Sequence, residues 1–265
     1  GLSAVAKKSS RVAAEGLIGL TVKDNQGALI EINSETDFVA RNELFQDFVK
    51  TCSDLSLTCN EDIEILKQMK YPNTGRSVDQ ELANNIATIG ENMNVRRSKI
   101  LKVSNGVITS YIHNSVADGL GKLGVLVALE SNGDKDKLSS VGKQIAMHIA
   151  ATSPKSLNIE DLDKDVVNRE RQVLIDQAVA SGKPKEIAEK MVNGRMLKYF
   201  QEVVLNEQVS VIDGETKIKE VVTKLQKDLD AEVKLAGFIF LKLGEGIEIS
   251  ENDFAAEVAA TAGIK

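Results

Sequence analysis

Apolar and polar positions near the start of the chain follow the order strand, turn, strand and helix. Residues 16–22 (GLIGLTV) alternate as in a β-strand, residues 24–27 (DNQG) favour a turn, and residues 28–33 (ALIEIN) predict a second strand. From Asn42, apolar residues recur at spacings of three and four, which predicts a helix. Residues 94–103 (NVRRSKILKV) close this first unit with a third strand.

The same order recurs in the second half of the chain. Residues 106–114 and 124–131 predict two strands with a glycine-rich connection, and a helix runs from about Lys135 to Thr152. Residues 232–243 close the unit with another strand. Three strands covered by helices can be stable where one strand pair alone is not. The pattern therefore predicts an α+β fold with duplicated two-layer units, each a three-stranded antiparallel sheet with helices.

An insertion of roughly residues 158–214 separates the helix of the second unit from its last strand. It carries two apolar stripes at helical spacing, one of Val167, Leu174 and Ala178 and one of Ala188, Val192, Met196, Tyr199 and Val203. Between them, Gly182 suits the left-handed residue that ends a helix, and Pro184 suits the first turn of the next helix. The insertion therefore predicts an antiparallel coiled-coil hairpin that projects as an arm, and we expect such an arm to serve protein contacts.

These patterns divide the chain into four predicted parts. They are an N-terminal core subdomain (1–104), a C-terminal core subdomain (105–160 and 210–250), the inserted coiled-coil arm (161–209) and a C-terminal module (251–265). The arm thus interrupts the C-terminal core subdomain.

The composition indicates a soluble intracellular protein, which we expect in the cytoplasm. Of 265 residues, 42% are hydrophobic, and no apolar run approaches the roughly 20 residues that cross a bilayer. The formal net charge is −6, and aromatic residues are 4% with no Trp. Because an acidic chain with few aromatic rings suits neither phosphate binding nor base stacking, we expect no direct nucleic-acid partner and no membrane. The basic pair Lys7 and Lys8 is interpreted as a solvated, mobile end.

Two cysteines and two histidines are the residues that could form a metal or redox site. Cys52 and Cys59 lie seven positions apart, which places both on one face of a predicted helix and fits neither a disulfide nor a CxxC motif. A zinc site that joins them to His113 and His148 is an alternative with unusual ligand spacing. His148 shares an apolar helix face with Ile145, so it belongs either in the core or at an interface. We expect no metal and no cofactor.

The chain carries almost no recognisable catalytic motif. A phosphate-binding loop, a GxSxG elbow, an HExxH pair and a CxxC pair are absent from the sequence. Residues 119–124 (GLGKLG) match the dinucleotide pattern GxGxxG, but that fingerprint must follow a strand and open a helix, and these residues precede a predicted strand. We interpret them as a flexible hairpin connection, and we expect that the protein is not an enzyme.

The peptide SETDFVAR (34–41) lies between a predicted strand and a predicted helix, at a surface corner. Two interpretations are open. Composition favours a structural one, in which Thr36 or Asp37 caps the helix and Phe38 packs into the core. In the functional one, Asp37 and Phe38 form an exposed acidic and aromatic tip that enters a groove of a partner.

Six segments together resemble the elongation factor Ts family of bacterial type. They are RVAAEG (11–16), ETDFVAR (35–41), IGENMNVRR (89–97), QIAMHIAA (144–151), SGKPKEIAEKMVNGRM (181–196) and NDFAAEVAA (252–260), in the order of the family. The resemblance runs from about Lys7 to Ala260, and the longest segment and TDFVA are the most specific.

The resemblance implies a guanine-nucleotide exchange factor that binds elongation factor Tu in its GDP-bound form and promotes GDP release during translation elongation. It implies that an exchange wedge enters the partner's nucleotide domain near the magnesium and phosphate site, and that this wedge consists of Thr36, Asp37, Phe38 and Val39. The supporting partner-binding residues that it implies are Leu123, Gly124, Met147, His148, Asp253 and Phe254. The second unit would meet another domain of the partner.

Members of this family usually begin with a small helical domain that the resemblance does not include here, so we expect exchange activity with reduced affinity. An organellar origin is an alternative to a bacterial cytoplasm. The alternative function is a coiled-coil adaptor that uses the arm for assembly without exchange activity. A third reading, an enzyme with an unrecognised site, predicts a small-molecule ligand that raises thermal stability.

Overall fold

The computed structural model describes residues 2–249, and the first half of this range is built on an antiparallel sheet. Its elements are α1 Leu2–Lys8, β1 Glu15–Lys23, β2 Gln26–Ser34, α2 Glu43–Ser56, α3 Ile63–Gln68, α4 Val78–Ile89 and β3 Met93–Lys102. Strand β2 lies in the middle and pairs with β1 on one side and β3 on the other. The observed order of strands and helices is the one that the apolar pattern predicts.

The second half contains another antiparallel sheet. Its elements are β4 Gly106–His113, β5 Leu120–Gly121, β6 Leu123–Glu130, α5 Lys135–Thr152, α6 Lys164–Ala180, α7 Lys185–Val203, α8 Ile218–Leu229 and β7 Lys234–Lys242. Strand β6 lies between β4 and β7, so this sheet also places its second long strand in the middle. The predicted α+β class with antiparallel sheets is confirmed, whereas an origin by duplication stays a prediction.

The two sheets pack face to face, and this contact was not part of the two-layer prediction. Buried residues of both sheets form the shared core, namely Ile18, Leu29, Val103, Ile108, Leu126, Ala128 and Leu241. Helices α2 to α4 cover the outer face of the first sheet, and the residues buried between them form the first core. Helices α5 and α8 cover the outer face of the second sheet and form the second core with it. Because strand β6 is buried on both faces, its sequence contains a continuous apolar run, residues 125–129 (VLVAL).

The glycine-rich segment 119–124 contributes strand β5, Leu120–Gly121, to the first sheet, which therefore has four strands and not the three that were predicted. The interpretation of the segment as only a flexible connection was incomplete. It joins β4 to β6, as predicted, but strand β5 within it pairs with β1. A Cβ atom at Gly121 would lie 2.5 Å from Ile112 Cγ2 and 2.7 Å from the His113 carbonyl oxygen. Only glycine fits this close approach, so packing accounts for Gly121 and no bound nucleotide is needed to explain it. Strand β6 and not a helix follows the segment, so it does not meet the requirement of the dinucleotide fingerprint.

The expectation for the two cysteines was wrong. Helix α2 ends at Ser56, so Cys59 lies in the following turn and not on the same helix face as Cys52; both thiols are free and buried.

The basic pair Lys7 and Lys8 lies in the last turn of helix α1, whose Val5 packs against the first core. Lys7 is exposed and Lys8 is half-buried, and the mobility of this segment stays a prediction.

Helices α6 and α7, here called the arm, occupy the region that was predicted to project as a coiled coil, and that projection stays a prediction. A loop of residues 181–184 joins them, and Gly182 takes the left-handed conformation with φ +70°. A separate apolar cluster holds the two helices together, consisting of Leu174, Ala178, Val192 and Met196, with Val167, Ala188, Tyr199 and Phe200 packed against it. Pro184 directly precedes α7.

The predicted division into subdomains stays a prediction, although each sheet has its own helical layer. The predicted C-terminal module, residues 251–265, lies outside the described residues. Within residues 2–249, no helix combines the length and the apolar character that a membrane span requires.

Candidate partner-binding site

The segment Thr36–Val39, here called the tip, occupies the turn between β2 and α2. It leads from the end of β2 at Ser34 into a short 3₁₀ helix, Asp37–Arg41. Val39 and Ala40 are buried in the first core, and they anchor this helix from below.

The side chain of Phe38 is 79% exposed, and Asp37 beside it is exposed as well. The interpretation that composition favoured was therefore wrong, since Phe38 does not enter the core. Thr36 lies at the N-cap position of the 3₁₀ helix without a capping side-chain bond, and Asn42 is the residue that caps α2. The arrangement is the acidic and aromatic surface tip of the functional interpretation.

The N-terminal side of the tip is held by the segment that precedes β3. Strands β2 and β3 are antiparallel with Ser34 opposite Met93, and side chains continue this register beyond the strand ends. The Asn92 amide donates to Glu35 Oε1 at 2.6 Å. Glu91 accepts twice from Thr36, from the backbone N at 3.0 Å and from Oγ1 at 2.6 Å.

The C-terminal side of the tip is held by the start of α2. The Asn42 amide donates to the Val39 carbonyl at 2.9 Å, and Gln46 Nε2 donates to the Ala40 carbonyl at 2.8 Å. Asn42 Oδ1 in turn accepts from the Phe45 amide at 3.2 Å. The exposed pair therefore stands on a turn that is bonded at both ends.

Sequence reasoning did not assign a role to Glu35, Gln46, Glu91 or Asn92. The signal that could have found them is the strand register. Residues that follow one antiparallel strand lie beside residues that precede its partner, so the peptide after β2 must meet the peptide before β3.

His148 is buried in the second core, so the alternative of an interface histidine does not hold for the free chain. Its Nδ1 accepts from the Val211 amide at 3.2 Å, and its Nε2 lies 2.8 Å from Gln208 Oε1. An imidazole that accepts at Nδ1 carries its proton on Nε2, which donates to Gln208. Burial lowers the pKa of His148 below its ordinary value of 6.5, and the bond to Gln208 opposes this effect. The ring is therefore neutral and fixes residues 208–211.

The other predicted supporting residues occupy different environments. Met147 is 40% exposed, on the helix that carries His148. Leu123 is half-buried, and Gly124 is buried between the sheets, where a Cβ atom would lie 2.8 Å from Leu29 Cδ2. The last two, Asp253 and Phe254, lie outside the described residues.

The structure does not bring together the four residues of the alternative zinc site. Cys52 and Cys59 belong to the first core, whereas His148 packs in the second unit beside Gln208. In the part of the chain that the structure describes, no group of three or more His, Cys, Asp and Glu side chains could hold a metal ion. Burial raises the pKa of the Cys52 thiol, which disfavours the reactive thiolate.

The fold and the tip define an α+β protein whose distinguishing surface feature suits protein–protein contact. Comparison with known proteins identifies the family: a sequence model of elongation factor TS matches residues 35–245. The chain therefore belongs to the elongation factor Ts family. Such a protein is a nucleotide exchange factor for elongation factor Tu in translation elongation.

Similar proteins extend over nearly the whole chain. The elongation factor Ts of Rhodospirillum centenum is 57% identical over 263 residues, which are 99% of this chain and 86% of the relative. That of Rhodospirillum rubrum is 55% identical over 261 residues, 98% of this chain and 84% of the relative. That of Paramagnetospirillum magneticum is 53% identical over 265 residues, 100% of this chain and 85% of the relative.

Proposed function

We propose that the tip is the exchange wedge of this chain, and that it acts on the GDP-bound form of elongation factor Tu. The observation that carries the proposal is Phe38, an aromatic side chain 79% exposed on a turn bonded at both ends. Large side chains that fill a pocket of the partner are among the residues that contribute most to binding at protein interfaces. A turn that is already ordered loses little entropy on binding, so more of the contact energy is available to distort the partner.

The proposed mechanism requires no bond to be made or broken in this chain. A nucleotide-binding domain holds GDP through a nest of backbone N–H groups and a magnesium ion. A wedge that displaces the surrounding helices releases GDP if it binds the open state of the partner better than the GDP-closed state. Linkage then requires that nucleotide binding lower the affinity of the wedge for the partner, so exchange is accelerated in both directions. We place this action in the cytoplasm, without direct contact to nucleic acid or membrane.

The supporting residues have different proposed roles. Exposed Met147 is available for direct contact with the partner. His148 acts from inside, by fixing a segment in which Val209, Val211 and Ile212 are each about half exposed. Gly124 sets the contact between the sheets, and half-buried Leu123 packs against the core on the helical side of the second sheet. Asp253 and Phe254 would pack on the same nucleotide domain as the tip.

The test is release of a fluorescent GDP analogue from purified elongation factor Tu, with the natural chain, Phe38→Ala or Ile65→Ala added over a concentration series. Ile65 is the matched control, since it is 50% exposed on α3, away from the tip. Loss of an anchor residue costs about 2 kcal/mol or more, so Phe38→Ala should lower the exchange efficiency by at least about tenfold. Equal acceleration of GDP release by Phe38→Ala and Ile65→Ala would mean that residues outside the tip cause exchange.

A second candidate function, a protein-binding adaptor that uses a coiled-coil arm, is favoured by the surface of α6 and α7. Several aliphatic side chains on these helices are exposed, namely Val173, Ile175, Val179, Ile187 and Leu197. A groove of about 590 Å³ lies between the helices near the loop. It is lined by apolar residues, by the three cations of Arg171, Lys183 and Lys185, and by one acid, Glu189. This surface suits a partner segment that combines apolar side chains with carboxylates.

Deletion of residues 163–207 separates the two functions. If the arm is the principal binding element, the deletion abolishes binding to elongation factor Tu while Phe38→Ala binds normally. The reverse pattern, in which the deletion retains binding and exchange but Phe38→Ala loses exchange, favours the wedge.

A further inference from the structure

The carboxylate of Glu91 takes part in two side-chain hydrogen bonds to Thr36, the residue immediately before Asp37 and Phe38, while Ser34 Oγ donates to the Thr36 carbonyl at 2.9 Å. Both of its oxygens are used, one by the Thr36 amide and the other by the Thr36 hydroxyl. Both bonds are charge-assisted, and such bonds are stronger than bonds between neutral groups. Glu91 therefore fixes the backbone and the side chain of Thr36 at once.

The fold places Glu91 at this point through two independent features. Gly90 ends α4 in the left-handed conformation, with φ +91°, and so turns the chain towards β3. The antiparallel register then sets Glu91 opposite Thr36, two residues beyond the pair of Ser34 and Met93. Where the backbone of the tip leaves the sheet, the Glu91 carboxylate thus accepts the hydrogen bond from the Thr36 amide that a neighbouring strand would otherwise accept.

We propose that Glu91 is a positioning residue for exchange, which acts on elongation factor Tu only through the tip. This inference rests on the proposed function of the tip. Without the carboxylate, the Thr36 amide and hydroxyl lose their acceptor, and the turn that carries Phe38 can leave its bound geometry. The partner must then supply the free energy that orders the tip, and the exchange efficiency falls.

Glu91→Gln is the variant to test, because it keeps the size of the side chain but removes the charge and one acceptor oxygen. Glu61→Gln is the matched control, since Glu61 also joins a loop to β3, through the Ile100 amide at 2.9 Å and Lys99 Nζ at 3.2 Å, but does not contact the tip. Both variants are compared in GDP release from elongation factor Tu, alone and combined with Phe38→Ala. Hydrogen exchange of residues 35–41 is measured in the free chain.

Loss of one charge-assisted bond predicts that Glu91→Gln lowers exchange efficiency by about tenfold and speeds hydrogen exchange in the tip, whereas Glu61→Gln does neither. In the Phe38→Ala background, Glu91→Gln should cause little further loss, because the side chain that it positions is already gone. A variant that only unfolded part of the chain would lower activity equally in both backgrounds.

Two results would overturn the inference while leaving the proposed function intact. In the first, Phe38→Ala is impaired but Glu91→Gln exchanges GDP as well as the natural chain does. In the second, the loss caused by Glu91→Gln persists in full beside Phe38→Ala. If Phe38→Ala itself has no effect, the proposed function of the tip fails, and the role of Glu91 fails with it.

Discussion

At the scale of single residues, the most informative side chains are an apolar one that is exposed and two polar ones that are buried. Burying a Phe side chain contributes about 1.5–3 kcal/mol to stability, and Phe38 does not use that contribution. Conversely, Glu31 and His148 are polar side chains with no exposed surface. Each of them is surrounded by hydrogen-bond partners, which is the condition under which buried polar groups are tolerated.

Glu31 joins the two sheets through a buried ionic network. Arg96 and Arg97 donate to its carboxylate from β3, and the Gly244 amide, just after β7, donates at 2.7 Å. Burial tends to raise the pKa of Glu31, but the bonds from Asn33, Gly244 and Arg97 outweigh this and hold the pKa below its ordinary value of 4.5. The charged form is therefore the one that the folded state stabilises.

Glu31→Gln should destabilise the fold by about 3 kcal/mol, because it removes the buried charge that pairs with two arginines and leaves them one acceptor oxygen instead of two. The stability that Glu31 contributes is fully present above about pH 4.5 and is lost as the pH falls below that value. Urea unfolding of both proteins at pH 7 and pH 4 checks the prediction. As a control, Glu207→Gln removes partly exposed pairs with Lys217 and Lys219 and should cost at most about 1 kcal/mol. Equal losses in the two variants would contradict this account.

His148 predicts a second pH dependence. Since its pKa in the folded state lies below 6.5, the unfolded chain binds the extra proton more readily, and stability falls as the pH is lowered below about 6.5. Protonation of Nδ1 would also turn an acceptor towards the Val211 amide into a second donor. Unfolding free energies between pH 7.5 and pH 5 should show this slope in the natural chain and in His113→Gln, whose ring is exposed. Persistence of the full slope in His148→Gln would refute the assignment.

At the scale of helices and strands, conformational preference and burial can be separated within the arm. Gly194 lies inside α7 with open space where a side chain would project, whereas Gly182 ends α6 with a positive φ. Alanine is favoured over glycine inside a helix by about 0.5–1 kcal/mol, but it is strained in the left-handed conformation. The two glycines of the arm therefore respond oppositely to the same substitution.

Gly194→Ala should slow hydrogen exchange in α6 and α7, and Gly182→Ala should speed it, each by a factor corresponding to about 1 kcal/mol. Mass spectrometry of deuterium uptake resolves the arm from the sheets and measures both effects. Faster uptake in Gly194→Ala would show that this position contacts a neighbour after all.

The long elements could be predicted from sequence because each satisfies one simple physical rule. Helix α5 was predicted from about Lys135 to Thr152 and occupies that range, and the strand predicted at residues 16–22 is β1, Glu15–Lys23. Strand β5 was missed, since it has only two residues, one of them glycine, and so carries no periodicity. The orientation of Phe38 could not be predicted from the local sequence pattern, because it depends on a 3₁₀ turn that Glu91 holds from a position 55 residues away.

At the scale of the whole molecule, the contact between the sheets joins the part that carries the tip to the part that carries the arm. Glycine permits this contact at two places. A Cβ atom at Gly27 would lie 3.1 Å from Ile108 Cγ2, and one at Gly124 would lie 2.9 Å from Ile18 Cγ2. Gly124, which the family resemblance places in the exchange site, therefore has a structural role that does not need a partner.

Gly124→Ala should destabilise the fold by about 1–2 kcal/mol, because the added methyl group must displace Leu29 and the branched side chain of Ile18 in a packed interface. Gly237→Ala in strand β7 is the matched control, since its nearest neighbour would be Leu101 Cδ1 at an ordinary 3.4 Å. That variant should be neutral or slightly stabilising. Chemical denaturation of the two variants, followed together with GDP release, distinguishes packing from partner contact.

If Gly124→Ala lowers stability but, once folded, exchanges GDP at the natural rate, the glycine serves the sheet interface alone. If exchange falls while the free energy of unfolding is unchanged, the interface between the sheets accommodates the methyl group without strain. Gly124 then contributes to partner binding, as the resemblance implies. A parallel fall in both would mean that the relative position of the two sheets sets how the tip and the second unit meet elongation factor Tu. In that case Leu29→Ala, which makes room for the methyl group, should restore part of the exchange activity when combined with Gly124→Ala.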